Sequence, residues 1–94
     1  MFQIYGFSPD DPNNIEELTE PVRNSKDIHY AVVDYFLDCY EHSFTESAEF
    51  QSRLMNVSDQ IMRVRNSFIN SPAMQIYYID AAAEFDLIIK VVKN

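Results

Sequence analysis

The chain has one glycine, one cysteine and only seven lysines and arginines, against fifteen aspartates and glutamates. Each shortage excludes something. A lone Cys39 cannot form an internal disulfide, and its place among apolar residues of a predicted helix fits a buried thiol in a reducing compartment. The few basic residues disfavour direct binding to nucleic acid or anionic lipid, because phosphate contacts need clustered Lys and Arg. A single glycine argues against the pockets that usually accompany carboxylate catalysis or cation binding. No apolar run approaches the roughly 20 residues needed to span a membrane. The opening Met1-Phe2-Gln3-Ile4-Tyr5 lacks the basic region and long apolar run of a signal peptide. The expectation is a cytoplasmic protein with no cofactor.

Large apolar side chains are plentiful. Of 94 residues, 47% are hydrophobic, with six Tyr and seven Phe, enough to build one core for a single domain over residues 1–94. The net charge of −8 is unevenly spread: residues 1–49 carry eleven acids against Arg23 and Lys26, giving −9, and residues 50–94 carry four acids against five bases, giving +1. That asymmetry points to an interaction surface more than to general solubility.

Residues 2–7 alternate, Phe2, Ile4 and Gly6 against Gln3, Tyr5 and Phe7, which predicts a short strand. Ser8 to Asn14 reads as turn, and Ile15 to Leu18 as one helical turn capped by Asn14 and ended by Pro21. Asp27 to Glu41 reads as a helix with Ser25 or Asp27 as its cap. At about 100° per residue, Asp27, Asp34, Asp38 and Glu41 fall within roughly 60° of one another, an acidic stripe with Tyr30 beside it. Ile28, Val32, Tyr35, Phe36 and Cys39 make the apolar face. Ser43-Phe44-Thr45-Glu46 has the form of a capping box, so a second helix is expected to begin there. It carries Phe50, Leu54, Val57, Ile61, Val64 and Phe68 at spacings of 4, 3, 4, 3 and 4, with Glu49/Arg53 and Asp59/Arg63 as i,i+4 pairs. A second row, Met55, Met62 and Ile69, lies roughly 120° around. Either this helix is sandwiched inside the monomer or the row is a dimer face, and the sandwich is favoured because the seam is short.

Beyond Pro72 two strands joined across Asp80 to Glu84 are expected, Phe85, Leu87, Ile89 and Val91 alternating with their neighbours. A single helix over 72–92 is the competing reading, which would give an all-α bundle. The hairpin is preferred because the N-terminal strand needs a sheet to join. The expected fold is α+β, order β-α-α-β-β, with a three-stranded antiparallel sheet packed on two antiparallel helices.

Chemistry is sparse. Cys39 and His42 form a Cys-x-x-His spacing, but a zinc site needs two more ligands and only His29 remains, too far along the helix. As a nucleophilic pair they are disfavoured because a buried thiol is hard to ionise. No metal site, no catalytic set and no enzyme is expected. The function the pattern favours is binding of a basic protein partner, a nucleic-acid-binding protein or nuclease. Asp27, Tyr30, Asp34, Asp38 and Glu41 form the centre of that surface, and Asp10, Asp11, Glu16, Glu17 and Glu20 extend it. Small acidic inhibitors of this class include immunity proteins, antitoxins, anti-restriction and anti-CRISPR proteins, some of them DNA mimics, and no motif ties the chain to any of them. The alternative is a homodimeric assembly module using Met55, Met62 and Ile69.

Overall fold

In the computed structural model, which describes residues 1–94, the chain is an α+β protein whose four-stranded antiparallel sheet carries helices on one face. Strand β1 (Phe2–Ser8) buries Phe2, Ile4 and Gly6, as its alternation predicts. It turns through Pro9 and Asp10 into β2 (Asp11–Glu17), where the sequence pattern predicts turn followed by one helical turn. The correction has a physical reason. Asn, Pro and acidic residues are poor strand formers, but every residue of β2 is exposed and pairs only with β1, and an edge strand tolerates Pro12 because no second neighbour needs its missing N–H.

A 3-10 turn, Ser25–Asp27, leads into α1 (Ile28–Asp38). This helix is shorter than expected, and neither Ser25 nor Asp27 caps it through a side chain. A one-turn helix, α2 (His42–Thr45), precedes α3 (Ala48–Asn70). The cap expected at Ser43 lies instead at Ser47, whose Oγ accepts from the Phe50 N–H at 3.2 Å and donates to the Phe44 carbonyl at 2.6 Å. Along α3 the 4-3 pattern holds: Phe50, Val57, Ile61, Val64 and Phe68 are buried, with Leu54 half-buried. Glu49 and Arg53 pair at 2.7 Å, whereas Asp59 and Arg63 do not.

The C-terminal hairpin is present as β3 (Ile76–Ala81) and β4 (Leu87–Lys93), which overturns the single helix over 72–92. Its joint is the one-turn helix α4 (Ala82–Phe85), closed by Asp86 in the left-handed conformation at φ 53°. The three alanines that make a poor tight turn make an acceptable helical one. Strand order is β2-β1-β4-β3, so the sheet has four strands rather than three.

One core lies between the sheet and the helices, built from Ile4, Ile79, Ile89 and Val91 on the strands, Ile28, Val32 and Phe36 on α1, and the buried row of α3. Phe85 stacks on Phe36 at 4.3 Å between centroids and meets Phe50 edge-on, closing one end. Residues on the opposite side of the strands take no part in this core. Met55, Met62 and Ile69 are 73%, 60% and 54% exposed, so α3 is not sandwiched. No helix is long and apolar enough to cross a membrane.

Candidate functional site

The lone glycine explains where the site forms. An added Cβ on Gly6 would lie 2.8 Å from Leu18 Cδ1, so the bare backbone of β1 admits the Leu18 side chain. The Leu18 N–H donates to the Ile4 carbonyl at 2.9 Å, continuing the ladder one residue past β2. The chain leaving β2 is thereby held beside α1. Between them runs an open groove of about 360 Å³, lined by Leu18 and Thr19 on one side and Ala31, Asp34, Tyr35, Asp38 and Cys39 on the other. Asp38 also borders a second hollow of about 560 Å³, which it shares with Leu37, Tyr40, His42 and Glu46.

Asp34 and Asp38 are exposed on this rim, one helical turn apart, about 6 Å by rise. Glu16 of β2, across from the inward Gly6, is on the same side of the sheet as α1, and its charge acts on Tyr35. Burial pushes the Tyr35 pKa upward, the neighbouring Cys39, Glu16 and Tyr40 push it further, and the phenol stays protonated well beyond its ordinary range. Tyr35 is thus a neutral floor between carboxylates.

Arg53–Glu49 at 2.7 Å is the one Arg or Lys ion pair in the structure, and His42 Nε2 lies 2.9 Å from Glu46 Oε1. Asp10, Asp11, Glu16, Glu17, Glu20, Asp27, Asp34, Asp38 and Glu41 therefore all lack a cationic partner. Asp27 has one weak contact, the Asn24 amide at 3.5 Å.

The expected acidic surface is only partly assembled. Glu16 and Glu17 are neighbours on a strand, so they point to opposite faces of the sheet: Glu16 pairs across from the inward Gly6, and Glu17 from the outward Tyr5. Asp10 and Asp11 sit at the hairpin turn, and Glu20 on the following loop. Glu41 falls outside α1, at the start of α2, so the stripe loses its last member from the helix. Tyr30 is 66% exposed but lines a shallow groove with Lys26, His29, Met62 and Arg65, a basic neighbourhood rather than an acidic one.

Cys39 is exposed, which corrects the expectation of a buried thiol: it follows the last residue of α1, still with helical backbone angles, and lines the groove rather than the core. His42 pairs with Glu46 instead of Asp38 or Cys39, and no three His, Cys, Asp or Glu side chains converge as a metal ion would require. The groove's other wall, Leu18 and Thr19, is not among the site residues that the sequence pattern picks out. A lone glycine inside a strand pattern is the signal that could have found it, because it marks close approach of another segment. Comparison of the chain with protein-family models, curated proteins and solved structures returns no match.

Proposed function

We propose that the protein is a non-enzymatic inhibitor that binds a basic partner, a nucleic-acid-binding protein or nuclease, through the carboxylates around the Leu18–Cys39 groove. It would act in the manner of immunity, antitoxin, anti-restriction or anti-CRISPR proteins, presenting acids where the partner expects phosphates. The observation that supports this reading is that Glu16, Asp34 and Asp38, grouped about the groove, have no cationic partner, like the six other carboxylates between Asp10 and Glu41. Leaving so many like charges unneutralised costs stability through self-repulsion, and a cationic surface relieves that cost while steering the encounter. Asp34, Asp38 and Glu16 are the centre, with Leu18 and Tyr35 supplying apolar area between them. Aromatic and apolar surface flanked by charge is the usual composition of an interface core and its rim.

The test compares the wild type with an Asp34→Lys/Asp38→Lys variant against the basic protein recovered on the immobilised chain at low salt. Both substitutions are on exposed positions, so the fold should hold. Association of the variant should be slower by at least tenfold, and wild-type affinity should fall steeply with salt. Equal association rates for the two chains at low salt overturn the reading.

A further inference from the structure

The sheet has one face against the helices and one face bare. On the bare face β1 presents Tyr5 and Phe7, β4 presents Ile88 and Lys90, and the edge strands add Glu17 and Tyr78, none of which joins the core. We propose that a second copy of this chain covers that face, sheet against sheet, about a two-fold axis running along the strands between β1 and β4.

The register carries the argument. Tyr5 lies beside Lys90, with Glu17 on the far side of Tyr5 and Tyr78 on the far side of Lys90, so the row reads Glu17, Tyr5, Lys90, Tyr78 across the sheet. The two-fold reverses that order in the second copy. Lys90 then lies over the second copy's Tyr5 and one strand from its Glu17, so each ammonium meets a ring face and a carboxylate. Tyr78 lies over the second copy's Glu17, within reach for its hydroxyl to donate. In the next row Phe7 and Ile88 are paired, and the same axis sets each over the other. An axis across the strands through the row of Tyr5 and Lys90 would instead stack Lys90 on Lys90, a like-charge contact. Two copies of net charge −8 repel each other, and back-to-back sheets lessen that cost by putting the two acidic grooves on opposite outer faces. With strands about 4.8 Å apart and same-face residues about 6.7 Å apart, the outward positions tile about 350 Å² of projected face. That is less than half of the roughly 800 Å² per partner of stable complexes, so a weak dimer, populated toward millimolar concentration, is expected.

The experiment is sedimentation equilibrium of the full chain from low micromolar to millimolar concentration, with melting curves to show that each variant is folded. The wild type should pass from monomer to dimer. Lys90→Glu, a change on the solvent side, should weaken the dimer at least tenfold, and adding Glu17→Lys should recover most of that loss. Met62→Lys, on the exposed row of α3, should leave the dimer unchanged, as should Asp34→Lys/Asp38→Lys, which separates this test from that of the acidic groove. A wild type that stays monomeric to millimolar concentration overturns the proposal. So does a dimer indifferent to Lys90→Glu, or one dissociated by Met62→Lys.

Discussion

The side chain of Gln60 holds both backbone groups of Asp80: the Asp80 N–H donates to Gln60 Oε1 at 2.9 Å, and Gln60 Nε2 donates to the Asp80 carbonyl at 3.1 Å. Gln60 lies in the middle of α3 and Asp80 on β3, whose other side is taken by β4. One amide thus does at this residue what a further strand would do, and the Tyr77 hydroxyl donates back to the Gln60 carbonyl at 3.3 Å. The helix is clipped to the sheet's edge, and part of an otherwise unprotected strand is closed to pairing.

Gln60→Ala should remove both bonds at Asp80 while leaving the helix intact, since Ala is the better helix former. The expected loss is about 1–2 kcal/mol, reduced where water can replace the amide. Amide exchange resolved by residue should show the Asp80 N–H losing protection first. Unchanged protection there would mean that the edge is held by something other than this side chain.

The elements that could be read from sequence are those whose side chains alternate or repeat in register with burial. Phe2, Ile4 and Gly6 gave β1, and the 4-3 row from Phe50 to Phe68 gave α3. What could not be read depends on neighbours that no local pattern reports. β2 carries no buried residue, so it has no apolar period to detect, and only its pairing with β1 makes it a strand. The groove was half legible: Asp34 and Asp38 follow from helical spacing, while Leu18 arrives through a contact with Gly6, twelve residues earlier. Glu16 and Glu17 look equivalent in sequence and are separated only because a strand turns successive side chains to opposite faces.

Tyr35 gives a pH prediction with a definite sign. Its pKa in the folded chain is raised above the ordinary value of 10.0, first by burial and then by Cys39, Glu16 and Tyr40. The unfolded chain therefore releases this proton first as pH rises. The contribution to stability is complete below about pH 10 and is lost progressively as pH climbs from there toward the folded pKa. Phenolate absorbance should show one of the six tyrosines titrating after the unfolded-like value, and Tyr35→Phe should abolish that late step and flatten the alkaline fall in melting temperature. If Tyr35→Phe leaves both curves unchanged, the phenol is not held as described.

Cys39 reports on the groove directly. Its thiol is exposed, and Asp34 and Asp38 line the same groove. A folded chain should therefore react with a thiol reagent without unfolding, at a rate independent of denaturant at low concentration. The carboxylates make the rate depend on reagent charge: an anionic disulfide should react several-fold more slowly than a neutral one of the same size at low salt. Screening over about 10 Å at 0.1 M salt should close most of that gap. Asp34→Asn/Asp38→Asn should close it without salt, since the amides keep the shape of the groove and remove its charge. A cationic partner seated between Leu18 and α1 should protect Cys39 from both reagents. Reaction of both reagents only after global unfolding would place the thiol inside the core and remove the groove as a binding surface. Equal rates at low salt would leave the groove open but show that its field is too weak to steer a charged partner.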